Sequence, residues 1–150
     1  MDTTQHIPAW VDGRLEPVDK LDVHRRGLRH PAISVFLMDG DRTLLQRRAL
    51  NKYHTPGLWT NACCTHPHWG EAAAACAARR LAEELGITGL SLVVRERIEY
   101  RADVGGGMVE HEDVDIFTAS APQGLRVRAN PEEVMDVRWV DLDALGVEIA

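Results

Sequence analysis

A mixed α/β fold of the α+β kind, with one helix set among several strands, is what the residue pattern of this chain predicts. Two observations carry the prediction. The run from Glu71 to Leu85 is dense in Ala, Leu, Arg and Glu, all good helix formers, and Gly86 follows it as a natural stop. On both sides lie runs of β-branched and apolar residues broken by Gly, Asp and Pro, the pattern of strands and turns. A helix among β segments buries its apolar face against a sheet.

Taken in order, Met1 to Arg29 reads as a lead-in strand and loops, with Asp12-Gly13 a turn. Ala32 to Met38 and Thr43 to Arg48 are β-type runs, and Asp39-Gly40-Asp41-Arg42 between them predicts a hairpin. Pro56-Gly57-Leu58-Trp59 and a Cys/His-rich loop lead into the helix over Glu71 to Leu85. Beyond Gly86, strands are predicted over Leu90 to Val94, Arg95 to Ala102, Met108 to Ala121 and Asp136 to Val140, with Gly105-Gly106-Gly107 as a turn. The seven prolines are scattered and no repeat or low-complexity linker interrupts the 150 residues, so a single domain over 1–150 is expected.

The net charge of −6 disfavours nucleic acid and anionic membrane as partners, since both are held by excess Lys and Arg. An anionic ligand therefore needs a local cationic cluster or a metal. The longest apolar stretches fall short of the ~20 residues that span a bilayer. The first residues lack a basic patch followed by an apolar run, so no secretory leader is expected. Cys63, Cys64 and Cys76 are odd in number and two are adjacent, a poor disulfide framework. A reduced, cytoplasmic protein, monomeric or weakly dimeric, fits these features.

Chemistry enters with His24, His30, His66, Glu110 and Glu112. On a strand Glu110 and Glu112 project from one face, a costly arrangement unless a cation or proton lies between them. Three imidazoles and two carboxylates make an octahedral site for Mn²⁺ or Zn²⁺, whereas any one of them alone reads as a solvated surface group. On the predicted helix Arg79 precedes Glu83 and Arg80 precedes Glu84 by four residues. That is the less favourable order for the helix dipole, so simple ion pairing explains it poorly.

Glu71, then Arg79, then Glu83-Glu84-Leu85-Gly86-Ile87 resemble the Nudix box, with Thr65 in place of its opening Gly and Arg80 in place of the Glu after Arg79. That change replaces a metal-holding carboxylate by a phosphate-binding cation. Together with Thr60-Asn61-Ala62-Cys63-Cys64-Thr65-His66-Pro67 and Val109-Glu110-His111-Glu112, the altered box is similar to the type I isopentenyl-diphosphate isomerases, over about Lys20 to Leu145. The resemblance implies an α/β/α sandwich with a mixed sheet and a helix-borne box, and isomerisation of isopentenyl diphosphate to dimethylallyl diphosphate. It implies His24, His30, His66, Glu110 and Glu112 as ligands of one Mn²⁺ or Zn²⁺. Glu84 would contact a Mg²⁺ bridging to the substrate diphosphate. Lys20, Arg48, Lys52 and Arg80 would bind that diphosphate.

By the same likeness Cys64 and Glu112 are the acid/base pair and Tyr100 a supporting relay. An alkene is a very weak base, so a carboxyl beside a metal is the expected proton donor, leaving Cys64 as acceptor with a thiol pKa depressed by His66 and metal. Cys63 and Cys76 read as buried small hydrophobes. Trp59 and Trp69 are candidates to wall the cavity. The family's further C-terminal helical segment, with a Trp-bearing loop over the pocket, is expected to be lacking. Two rivals stand beside this reading. One is a Nudix pyrophosphohydrolase acting on a nucleoside diphosphate derivative, against which Arg80 and the Glu110/Glu112 pair argue. The other is a structural zinc module closed by His24, His30, His66 and Cys64. A flavin route is disfavoured by the lack of a dinucleotide fingerprint.

Overall fold

A computed structural model of the chain describes residues 6–50 and 57–142. Strands β1 (His6–Val11) and β2 (Arg14–Asp19) form a separate two-stranded antiparallel hairpin. Asp12 and Gly13 both have positive φ, 51° and 81°, as the tight two-residue turn demands. The chain then enters α1 (Lys20–Arg26), a helix in a stretch expected to be loop. Its start and stop are local: the Asp19 side chain accepts from the backbone N–H of Asp22 at 3.1 Å, and Gly27 ends it in the left-handed conformation. At seven residues it is too short for sequence periodicity to reveal.

The main sheet has seven strands: β3 (Arg29–Asp39), β4 (Arg42–Arg48), β5 (Trp59–Asn61), β6 (Cys63–Thr65), β7 (Val93–Gly105), β8 (Met108–Ser120) and β9 (Val134–Asp141). Its path runs β5-β4-β3-β8-β7, with β6 added on β3 and β9 on β4. Only β3 and β8 run parallel, so the sheet is mixed as expected. The predicted hairpin between β3 and β4 is present, but the two strands pair only at its tip, Met38 with Thr43 and Asp39 with Arg42. Past the tip they part. The wedge takes β5, paired to β4, and β6, paired to β3. These two three-residue strands occupy what the sequence suggested was simply a loop.

Helix α2 (Ala73–Leu85) covers one face of the sheet. Cys76, Ala77, Leu81 and Leu85 from the helix meet Ile33, Val35, Leu37, Leu44 and Phe117 from the strands in the main core. Burying each large aliphatic side chain contributes roughly 1.5–3 kcal/mol. The helix starts two residues later than predicted because Glu71 is occupied outside it, accepting from Arg79 and from the backbone of His68. Gly86 ends it with φ 65°, and a Cβ there would come within 2.9 Å of Arg128 Cβ.

Two predicted strand boundaries are corrected. Leu90 and Leu92 pack on the core from irregular chain, and β7 begins only at Val93. From there it is continuous through the predicted break at Arg95, which is a register shift between Val94 and Glu96. The turn at Gly105–Gly107 is as predicted.

Candidate functional site

Side chains alternate across β3. Ile33, Val35 and Leu37 enter the core under α2, while Ala32, Ser34 and Phe36 line a cavity of about 540 Å³ on the opposite face. The parallel register sets His30 beside Glu112 and Ala32 beside Val114, and the antiparallel register sets Tyr100 beside Glu112. The cavity floor is thus made by alternate residues of three neighbouring strands. Lys20, Arg48, Cys64, Arg80, Glu84 and Glu110 are among its other polar lining residues.

At one end the five predicted metal ligands come together. His24, His30 and His66 form one group of donor atoms and His66, Glu110 and Glu112 another, each with its atoms within 4.8 Å of one another. The three rings pack with centroids 4.7–5.2 Å apart, and all five side chains are buried. His24 Nδ1 lies 2.8 Å from the carbonyl of Lys20, and His30 Nδ1 lies 2.8 Å from that of Leu28. A carbonyl only accepts, so Nδ1 carries the proton in both rings and Nε2 turns its lone pair inward. This tautomer is the one that a metal requires, and a backbone partner on the distal nitrogen is the usual means of fixing it. Among the described residues the donor set fits a divalent transition ion.

Glu112 is the hub of this end. Its Oε2 lies 2.6 Å from His66 Nε2 and 3.4 Å from His30 Nε2. Burial alone would raise its carboxyl, but the neighbouring His30 and His66 imidazoles outweigh that and hold it well below the usual carboxylate range. Burial pushes the His66 imidazole down to about 3, so His66 is neutral and donates to Glu112. Tyr100, expected to bond beside Glu112, is its register partner but donates its hydroxyl to Glu110 Oε2 instead, because the phenol reaches past its own pair along the strand.

Cys64 sits on β6 opposite Ser34 of β3, with its sulfur in the cavity. The expected depression of its thiol by His66 is not found in the protein groups. Burial pushes the thiol up, the hydroxyls of Ser34 and Thr60 oppose this, and the Glu112 and Glu84 carboxylates add to the rise. Among the described residues neither group of donor atoms includes Cys64, so a four-ligand zinc site of His24, His30, His66 and Cys64 is not assembled. Cys63 and Cys76 are wholly buried in the core as read from the sequence. Cys63 also has a polar role, donating its S–H to Glu84 Oε2 at 3.1 Å.

The other end of the cavity is cationic. Lys20 from α1, Arg48 from β4 and Arg80 from α2 converge there. Burial, then the Arg80 and Arg48 guanidiniums, pushes the Lys20 ammonium down. Arg80 bonds Glu83 at 2.6 Å, Glu84 at 3.0 Å and Glu133 at 3.2 Å, while its buried Nε has no hydrogen-bond partner among the described residues. Glu84 is 2% exposed and is steadied by Arg80, by Cys63 and at longer range by Gln46. Lys52, the fourth predicted cation, lies outside the described residues. Trp59 lines the cavity, whereas Trp69 does not and is about half exposed.

The rest of the box does mechanical work. Arg79 grips Glu71 with two hydrogen bonds, 2.7 and 3.0 Å, tying the loop before α2 to the helix. Glu83, largely exposed, pairs with both arginines and does not reach the cavity. Sequence reasoning missed Ser34, Gln46 and the separate roles of Thr60 and Asn61. For Thr60 and Asn61 the signal was their place in the Cys/His motif; for Gln46 it was a polar residue inside a strand run.

A mixed sheet with a box-bearing helix, whose Arg80 and Glu84 reach a cavity lined by β3, β7 and β8, is the arrangement of the Nudix class. The NUDIX domain model matches residues 28–150, a span that omits Lys20 and His24. A relative from Cereibacter sphaeroides is 67% identical over 95% of this chain and 81% of its own length, and one from Rhodobacter capsulatus is 63% identical over the same shares. Both are named isopentenyl-diphosphate Delta-isomerase. The chain belongs to the isopentenyl-diphosphate Delta-isomerase family of NUDIX-domain proteins. Among solved structures, a Deinococcus radiodurans protein shares the fold with a TM-score of 0.75 at 13% identity, over 96% of this chain and 88% of that one. No helix among the described residues is long and apolar enough to cross a membrane.

Proposed function

We propose that this chain interconverts isopentenyl diphosphate and dimethylallyl diphosphate, with Cys64 and Glu112 as the two proton-handling groups. The observation that carries the reading is that both line one cavity that also holds Lys20, Arg48 and Arg80. The reaction adds a proton at the terminal alkene carbon and removes one from the carbon two positions along, so the substrate and product have the same atoms. One group must give a proton and the other take one. Glu112 gives and Cys64 takes in the direction inferred above. Their resting protonation is the reverse, carboxylate and thiol, so a proton must pass to Glu112 and leave Cys64 before the alkene reacts. The pH profile of kcat reports the pair as a unit.

His24, His30, His66, Glu110 and Glu112 would hold one Mn²⁺ or Zn²⁺, and Glu84 would contact a Mg²⁺ carried by the diphosphate. A bound cation makes a neighbouring carboxyl a stronger acid and neutralises phosphate charge. Tyr100 restrains Glu110 beside that centre. The three cations, with Lys52, would supply the positive field that a chain of net charge −6 otherwise lacks. The apolar lining from Ala32, Phe36, Trp59, Ile98, Val114 and Ile116 suits a branched five-carbon tail.

Proton NMR of isopentenyl diphosphate in D₂O with metal-loaded protein tests this. Allylic product carrying deuterium is expected, and nucleoside diphosphate derivatives should remain intact. Phosphate release from those compounds without allylic product would instead establish a hydrolase.

A further inference from the structure

The Cys64 thiol is enclosed by polar groups that the metal and diphosphate ends do not use. Asn61 Nδ2 faces three acceptors with its two N–H groups, the carbonyls of Val35 and Cys63 at 2.7 and 3.1 Å and Ser34 Oγ at 3.0 Å, so one N–H is shared between two of them. Carbonyls only accept, so the Asn61 amide cannot be turned over, and its Oδ1 is fixed facing the Cys64 sulfur at 2.9 Å. Oδ1 has no proton to give, so Cys64 S–H donates to it. The one proton of the thiol is spent on Oδ1, so at the 3.2 Å contact between Ser34 Oγ and the sulfur the hydroxyl donates. Thr60 donates to the same Asn61 Oδ1 at 3.0 Å. The senses close into a ring: Asn61 N–H to Ser34, Ser34 O–H to Cys64, Cys64 S–H back to Asn61.

We propose that Ser34 and Asn61 are positioning residues of the reaction, which through this hydrogen-bonded ring fix the rotation of the Cys64 side chain and so the place of its sulfur. The proposal rests on Cys64 being one of the two proton-handling groups. A cysteine has one side-chain torsion with three staggered wells, and a three-residue strand does little to choose among them. Proton transfer to or from carbon tolerates little misplacement, about 1 Å costing on the order of a hundredfold. Ser34 is the cross-strand partner of Cys64, and Asn61 is tied through Val35 to the same strand β3. The ring therefore references the sulfur to the strand whose neighbour β8 bears Glu112.

Ser34→Ala, Ser34→Thr and Asn61→Asp in the metal-loaded full chain test the proposal. Ser34→Ala should lower kcat about ten- to a hundredfold with KM and the melting temperature nearly unchanged, and Ser34→Thr, which keeps the hydroxyl, should recover most of it. Asn61→Asp, which cannot donate to Ser34, should fall likewise. The infrared S–H stretch of Cys64, identified as the band missing from Cys64→Ala, should move in both Ser34→Ala and Asn61→Asp. Wild-type kcat in Ser34→Ala, an unmoved S–H band, or failure of Ser34→Thr to recover activity would each overturn the proposal. Full turnover by Cys64→Ala would remove the reading of Cys64 instead, while leaving the Ser34-dependent band shift to stand.

Discussion

The two ends of the cavity hold charge by opposite means. At the His/Glu end the side chains are short, buried and aimed by backbone: strand register sets His30 and Tyr100 against Glu112, and carbonyls of Lys20 and Leu28 orient the imidazoles. At the cationic end long side chains reach in from α1, β4 and α2, and Glu83, Glu84 and Glu133 balance Arg80. Coordination and proton transfer demand positions good to a fraction of an ångström, which strands supply. Holding a multiply charged diphosphate demands field more than exact position, which flexible cations supply.

The largest test of that contrast compares Cys64→Ala and Glu112→Gln with Lys20→Ala and Arg80→Ala. The first pair should lose about 10²–10⁴-fold in kcat, as expected for removing a general acid or base. The second pair should chiefly raise KM, by about tenfold for a lost charge-assisted contact. Steady-state kinetics separates them, and equal losses of kcat at both ends would erase the distinction.

Metal gives the next effect. Adding Mn²⁺ or Zn²⁺ to chelator-treated protein at a hundred times its Kd should raise stability by about 2.7 kcal/mol, seen as an upward melting shift. His24→Ala should abolish the shift and Cys64→Ala should keep it. A Cys64→Ala variant that no longer responds would return the thiol to the ligand set.

Gln46→Leu probes how firmly Glu84 is held. It removes a buried amide that donates to the Ala62 carbonyl at 2.7 Å and reaches Glu84 at 3.4 Å, taking the side-chain donor from the carbonyl and leaving Glu84 to Arg80 and Cys63. A stability loss of about 1–3 kcal/mol is expected by chemical denaturation. It should be accompanied by weaker Mg²⁺ dependence of turnover.

The smallest effect belongs to the clamp outside the cavity. The hydrogen bonds from Arg79 outweigh burial and hold the Glu71 carboxyl at about 2 instead of its ordinary 4.5. An unfolded chain binds that proton at a higher pH than the folded one, so the stabilisation is complete above about 4.5 and is lost as pH falls toward 2. Arg79→Ala should cost about 0.5–1 kcal/mol at neutral pH and flatten stability against pH in that window. An unchanged acid slope would mean that the clamp is ornamental.

Much of this was legible in the sequence where the cause is local. Helix α2 follows from composition and Gly86, the two hairpin turns from Asp-Gly pairs, and the candidate ligand set from residue types that have few other uses together. Helix α1 was not legible, although Asp19 and Gly27 cap it, because seven residues carry too little periodicity. Strands β5 and β6 were missed for the same reason, since a three-residue strand exists only through its partners. Cys64 shows the limit most sharply: its neighbours in sequence suggested a thiol lowered by His66, and its neighbours in space raise it by burial.

By itself, then, the order of residues determined which groups are available: three histidines, the Glu110/Glu112 pair, a free cysteine and a box whose second carboxylate is Arg80. Tertiary structure alone decided which of them share a cavity, which nitrogen of each imidazole is bare, and that Asn61 and Ser34 face the sulfur. The reason is physical. Residue type sets what a group can donate, accept or ligate, but register between strands distant in sequence sets whom it meets, and burial sets which protonation state survives there.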